Sequence, residues 1–332
     1  MRKKKRIDKK KATRPPLNIW LYVSAILFIF ILILLFLRPA TSLEEKLETV
    51  FEINGTTYVA YDHPLVTAYV IYDPACDNDL CDVNAFKQQI LTTLTPAIRF
   101  EDLEFTSPEA TSLINAHRIT SVPAFMFDKN IRSVGNFEFI QEFFVERDDM
   151  YLLRIPAGKY IATPHNVPAH VKGSATPKVT VTQFCSFTST FCAQLKTTLD
   201  TVLREYPDQL TIHFIHFNRG GPDTTLIHAS ECASEQGKFW EMHDALFARQ
   251  SELDENGEVQ TGILSEIGFD LGLDMATFET CMNDTHRFDA KLKEMQNTIA
   301  DFSLQATPSL FANDTFIQGV IDEAELRAML AE

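Results

Sequence analysis

The sequence predicts an α/β protein. It holds two consecutive units, each with a strand that runs into a cysteine-bearing turn and a helix and is joined later by a proline-led apolar strand, behind one N-terminal apolar span. Three observations carry this. Val179 to Leu195 is a β-branched run ending in a Ser/Thr-rich turn that opens a helix with a cysteine in its first turn, and Ala306-Thr307-Pro308-Ser309-Leu310-Phe311 sets a Thr-Pro step before an apolar strand. A proline that opens such a strand is a candidate for the cis isomer. The same order occurs upstream, from the strand pattern Val66 to Tyr72 through Cys76 and Cys81 to Val122-Pro123 and the apolar run after it. Finally, Ile19 to Leu37 is nineteen residues without a charge.

From the N-terminus, residues 1–18 form a basic tail: Met1 to Arg14 carries nine Lys or Arg residues and one Asp. Residues 19–37 follow as a helix of about 28 Å, which matches the hydrocarbon thickness of a bilayer. The apolar core is longer than that of a cleaved signal peptide, so an uncleaved anchor is expected. The basic cluster precedes the span and few basic residues follow closely, which places the N-terminus in the cytoplasm and all that follows Leu37 outside. Trp20 and Tyr22 suit the inner boundary, and residues 38–48 read as a linker. The remainder of the chain has 21 basic and 44 acidic residues, a balance that excludes nucleic acid and anionic lipid as partners of the exterior portion.

About 295 exterior residues suit two domains. The first, 49–155, contains the strand Val66 to Tyr72, the turn Asp73 to Cys81, a helical segment Val83 to Leu94, a strand Ile98 to Phe105, a helix Pro108 to His117 and the proline-led strand through Phe127. Residues 156–176, with Pro156, Pro164 and Pro168, read as a linker. The second domain, 177–332, is interrupted at about 222–304 by helical segments, Thr224 to Gln250, Gly262 to Met282 and Arg287 to Leu304. Six cysteines in an exported chain favour disulfides, of which fifteen complete pairings exist. His213, His216 and His243 have no partner at catalytic or metal spacing and are given no function.

The segment Phe184 to Cys192, with Ala229 to Trp240, His243 to Phe247 and Thr307-Pro308, resembles DsbA-like thiol-disulfide oxidoreductases, which have a thioredoxin fold. The resemblance covers roughly Pro177 to Glu332 and implies that the helical insertion divides the two halves of that fold. Where the family has its attacking cysteine, this chain has Ser189, whereas the second position, Cys192, is kept. A serine hydroxyl has no accessible anion near neutral pH and cannot attack a disulfide. Three readings stay open here: a Cys185–Cys192 bond, structural or weakly redox-active; a monothiol site at Cys192; or two buried inert thiols. The upstream unit resembles a thioredoxin-like domain more distantly, with C-x4-C at Cys76 and Cys81 in place of C-x2-C. Redox cycling and a static clasp are both open for this pair, and a metal site lacks a second ligand pair.

For Cys232 and Cys281 the resemblance implies a structural disulfide between two helices, with free buried thiols as the alternative. The residues beside the proline steps, Thr307-Pro308 opposite Ser189 and Val122-Pro123 opposite Cys76 and Cys81, would offer backbone groups to an extended client strand. The function implied is a membrane-anchored, extracytoplasmic oxidoreductase acting on exported proteins through Cys76, Cys81, Cys185 and Cys192, with a membrane redox partner and no cofactor. A non-catalytic polypeptide-binding or scaffold protein stabilised by disulfides is the alternative, and trapping of clients through Cys192 alone is a third reading.

Overall fold

The computed structural model describes residues 49–331 except 54–55, 62, 165–166 and 256–257. The expected tail (1–18), span (19–37) and linker (38–48) lie outside the described residues, among which no helix is long and apolar enough to cross a membrane. The chain divides into two compact units, one ending at Pro64 and one running from Leu65. In the first, β1 (Thr49–Ile53) and β2 (Thr56–Ala60) form an antiparallel hairpin with Thr49 opposite Ala60.

The second unit contains two five-stranded mixed sheets, consistent with two thioredoxin-like domains. The first sheet begins with β3 (Val66–Tyr72), after which come α1 (Val83–Thr93), β4 (Ile98–Glu104) and α2 (Pro108–His117). Asp82 caps α1 by accepting from Ala85 N, and Ser107 caps α2 by accepting from Ala110 N, with Pro108 in the first helical position. These caps satisfy amides that have no partner inside their helices. Next come β5 (Ser121–Val122), β6 (Ala124–Phe127), β7 (Phe144–Arg147) and β8 (Met150–Leu153). The order is β4-β3-β6-β8-β7, parallel between β3 and β4 and antiparallel elsewhere. Val66, Ala68 and Val70 of β3 pack into one core with Phe125 and Phe127, and Ile71 faces a second core with Val122 and Met126. Burial on both faces is why β3 reads as a nearly unbroken apolar run.

The stretch 156–176, expected from its prolines to be a linker, contributes β9 (Lys159–Tyr160), which pairs with β5, and β10 (His170–Gly173), which forms an edge of the second sheet. That sheet continues with β11 (Val179–Cys185), α3 (Thr190–Glu205) and β12 (Leu210–His216). The longer helices that follow are α4 (Pro222–Ser234), α5 (Phe239–Ala248), α6 (Thr261–Asp270), α7 (Met275–Asn283) and α8 (Asp289–Asp301), with a single helical turn, Gln250–Leu253, after α5. A small hairpin, β13 (Asp254–Glu255) with β14 (Glu258–Val259), lies between α5 and α6. Then β15 (Ser309–Ala312), β16 (Thr315–Gln318) and α9 (Glu323–Ala331) complete the fold in the strand order β10-β12-β11-β15-β16. Gly237, at φ 71°, adopts the left-handed conformation that breaks the expected Thr224 to Gln250 helix into α4 and α5.

The two sheets meet at the end of α8. Thr120 Oγ1 donates to Asp301 O at 2.6 Å, the buried Arg147 pairs with Asp301, and Tyr160 donates through its hydroxyl to Phe302 O at 2.9 Å. The Tyr160 ring packs in the second sheet's core beside Phe302, Phe311 and Phe316, and burial pushes its pKa up to about 12.

Candidate functional site

In the C-terminal domain, β11 delivers Cys185 and a tight turn leads to Ser189, the N-cap of α3. Ser189 Oγ accepts from Cys192 N at 3.4 Å and donates to Thr307 O at 3.5 Å, so the turn and the cis Thr307-Pro308 step stand side by side. Cys185 and Cys192 form a disulfide with Cα atoms 5.8 Å apart, and each is 1% exposed. The surface here is made instead by Phe191, 58% exposed, with exposed Gln305 and Ala306 before Thr307. Among the described residues no strand pairs with the segment before Pro308.

The turn is held from below by Asp223, in the first turn of α4 and 1% exposed. Its Oδ1 accepts from Ser186 Oγ at 2.6 Å, Thr188 Oγ1 at 2.8 Å and Thr188 N at 3.3 Å, and its Oδ2 accepts from Arg219 N at 3.3 Å and Nε at 3.2 Å. A buried carboxylate is tolerated when its lone pairs are this fully used.

In the first domain, Cys76 and Cys81 form a disulfide across a surface turn, with Cα atoms 5.8 Å apart and both residues half-buried. Asn78, inside the turn, accepts from Leu80 N at 3.0 Å through Oδ1. Its Nδ2 lies 3.6 Å from Cys76 Sγ and donates to Gly158 O at 2.9 Å. The cis Val122-Pro123 step lies alongside: Gly158 N donates to Val122 O at 3.1 Å, and a Cβ built on Gly158 would collide with Cys81 Sγ. Asp73, just before the turn, accepts from Lys159 Nζ at 2.6 Å and from Ala75 N at 2.9 Å, and the Lys159 bond is the main reason its carboxyl sits below the ordinary range.

The third disulfide, Cys232–Cys281, ties α4 to α7 inside the helical layer. Two groups among the described residues bring possible metal-ligand atoms within 4.8 Å of one another: His228 with Cys232 and Cys281, and His170 with His216 and Glu231. In the first, the two sulfurs are bonded to each other. In the second, Lys291 Nζ stands 2.7 Å from Glu231 Oε2 and 3.2 Å from His170 Nε2, so the protein supplies its own cation. Burial drives the His216 pKa down to about 4. Burial alone would raise that of Glu231, but the hydrogen bonds from His170 and His216 outweigh it and hold the carboxyl well below its usual range.

The thioredoxin family model matches residues 165–332, half of the chain. The chain belongs to the thioredoxin family. Among solved structures, α-DsbA1 of Wolbachia pipientis is 17% identical, with 52% of this chain and 92% of that one covered and a TM-score of 0.44. BdbD of Bacillus subtilis, in its oxidised form, is 20% identical, with 48% and 90% covered and a TM-score of 0.43. Among curated proteins, the Na(+)/H(+) antiporter NhaA 1 of Mycolicibacterium gilvum is 28% identical over 164 residues, 47% of this chain and 25% of that protein. The antiporter NhaA of Herminiimonas arsenicoxydans is 25% identical over 161 residues, 48% of this chain and 25% of that one. The chain thus spans about a quarter of the length of these curated relatives.

For this thioredoxin-family chain, the structure gathers the sequence-predicted site residues into two clusters, one of Cys185, Ser189, Cys192, Thr307 and Pro308, the other of Cys76, Cys81, Val122 and Pro123. Cys232 and Cys281 form their own bond elsewhere. The backbone of Val122, expected to face a client, is paired with Lys159 of the chain itself. Sequence reasoning missed Asp223, Asn78 and the 158–161 segment. Asp223 had a faint signal, an acidic residue opening a helix after Gly220-Gly221-Pro222. The segment 158–161 had none, because a two-residue strand leaves no periodicity.

Proposed function

We propose that this chain is a membrane-anchored, extracytoplasmic thiol-disulfide oxidoreductase acting on exported proteins, in which Cys76 and Cys81 are the exchanging pair and the C-terminal domain holds the client. The observation that carries the reading is the difference in access between the two disulfides next to the cis-prolines. Cys76 and Cys81 are half-buried in a surface turn, whereas Cys185 and Cys192 are each 1% exposed. Exchange requires a thiolate to reach a sulfur, so access decides which bond reacts. A client thiolate attacks one sulfur of the Cys76–Cys81 bond, forming a mixed disulfide, and the expelled sulfur leaves as thiolate and takes a proton. The client's second thiol then closes the client disulfide and releases the pair as a dithiol. The client loses two electrons and the pair gains them; a disulfide-bearing membrane redox partner restores it.

In the C-terminal domain, Ser189 keeps the helix cap and gives up the nucleophile. The Thr307 backbone and the exposed Phe191 ring together suit an extended, partly apolar polypeptide segment. The basic tail and the apolar span support the anchored topology, with the N-terminus cytoplasmic. A second reading, a non-catalytic scaffold, is favoured by the pairing of Val122 with Lys159, which occupies the backbone before the cis-proline of the first domain.

The test is oxidation of a reduced two-cysteine peptide by the purified protein, by the double variant Cys76→Ala/Cys81→Ala and by Cys185→Ala/Cys192→Ala. Turnover is expected in the parent and in the second double variant and is lost in the first. Turnover that survives without Cys76 and Cys81, or its absence from the parent, removes this reading and leaves the scaffold.

A further inference from the structure

Residues 158–161 pair with the backbone just before the cis Val122-Pro123 step. Lys159 stands opposite Val122 and Tyr160 opposite Ser121 in antiparallel register, with Gly158 N donating to Val122 O at 3.1 Å and Ile161 N to Thr120 O at 2.9 Å. The segment passes directly over Cys81: only a glycine fits, since a Cβ at position 158 would strike Cys81 Sγ and stand 3.1 Å from both Leu80 O and Val122 O. The turn grips it in return, Asn78 Nδ2 donating to Gly158 O at 2.9 Å while standing 3.6 Å from Cys76 Sγ. One side of the segment is locked by Lys159 on the buried Asp73 carboxylate at 2.6 Å, and the other by Tyr160, whose ring and hydroxyl are sunk in the second domain's core.

We propose that residues 158–161 are a built-in client strand, a strap that pairs with the backbone before the cis Val122-Pro123 step and shields the Cys76–Cys81 bond until an external strand displaces it. The inference rests on the reading of that bond as the exchanging one. Backbone pairing at a sheet edge is the same interaction whether the strand comes from the chain or from a client, so the two compete for Val122. The strap also defines what competes best: an extended segment with a glycine over Cys81 and a basic residue beside Asp73.

The experiment is the rate at which reduced glutathione opens Cys76–Cys81 in the full chain, followed by alkylation and mass of the cysteine-bearing peptides, with Cys185–Cys192 read in the same samples. Two glutathione thiols are oxidised to one glutathione disulfide as the pair becomes a dithiol. Lys159→Ala, which frees the strap from Asp73, is expected to speed the opening by about tenfold and Lys159→Arg to leave it near the parent rate, because the pairing engages a buried carboxylate. Gly158→Ala, which cannot lie over Cys81, is expected to speed it further. Cys185–Cys192 is expected to stay closed in all of them. Opening of Cys76–Cys81 at the parent rate in Lys159→Ala and Gly158→Ala alike overturns the strap while leaving the pair exchangeable. Acceleration of both disulfides together also overturns it, since that reports general loosening. A Cys76–Cys81 bond inert to glutathione in every variant overturns the reading beneath it as well.

Discussion

Asp223→Ala removes the carboxylate that holds the turn between Cys185 and Ser189. In the structure its Oδ1 takes three hydrogen bonds from Ser186 and Thr188, and Oδ2 takes two from Arg219. After truncation, Ser186 Oγ still reaches Thr188 Oγ1 at 2.9 Å, and the Arg219 side chain, 48% exposed, turns to water. The unrecovered part is about two charge-assisted bonds at roughly 1.5–3 kcal/mol each, so the expected cost is about 3–6 kcal/mol. Asp223→Asn keeps the shape and an acceptor for Ser186 and Thr188 but turns an amide toward the Arg219 donors, and about 1–2 kcal/mol is expected. Trp240 is the tryptophan of the C-terminal domain, donating its ring N–H to Val171 O at 3.1 Å, so its fluorescence during urea unfolding reports this domain. A loss below about 1 kcal/mol for Asp223→Ala, or equal losses for Asn and Ala, would refute the view that the carboxylate's charge clamps the turn.

Three further outcomes are expected. Cys232→Ala/Cys281→Ala opens a loop whose ends are 49 residues apart and should cost about 4 kcal/mol by loop-closure entropy, read from the same urea midpoint. His216, 1% exposed, is pushed by burial down to about 4 from its ordinary 6.5. The unfolded chain therefore binds this proton more readily than the folded one; its contribution is complete above pH 6.5 and is lost as the pH falls towards 4, on the order of 3 kcal/mol in all. Urea midpoints from pH 7.5 to 4.5 should show the decline, and His216→Gln should flatten it. Ser189→Cys combined with Cys185→Ala frees Cys192 and rebuilds a Cys-x-x-Cys turn at the α3 N-terminus, so the double variant should reduce insulin with a thiol donor where the parent C-terminal domain does not; no gain would mean that the turn has lost more than its nucleophile.

The strands and helices that face a core on a regular period were legible: β3 at Val66–Tyr72 and α2 at Pro108–His117 lie where the sequence placed them. Both proline steps announced themselves, since an X-Pro bond ahead of an apolar run carries a local signature, and both bonds are cis. The connector was misread for a physical reason. Its prolines mark an irregular backbone, which describes a strap or an edge strand as well as a tether, and only tertiary pairing distinguishes them. The strands β7 and β8 were missed because each is four residues long and, unlike β6 and β15, neither follows a proline step that marks it. Sequence could bring Cys185 and Cys192 into one candidate pair, but burial depends on the helices packed around them and is not written in their neighbours. The His170–His216–Glu231–Lys291 cluster was invisible for a similar reason, its members coming from β10, β12, α4 and α8.

Access to the sulfurs is what the account depends on, and native-state reduction measures it directly. The intact protein is exposed to increasing glutathione without denaturant, trapped with an alkylating agent and mapped by mass. The predicted order is Cys76–Cys81 first, with Cys185–Cys192 and Cys232–Cys281 closed until the domain unfolds, because their sulfurs lie in the core. Cys185–Cys192 opening before or together with Cys76–Cys81 would contradict it.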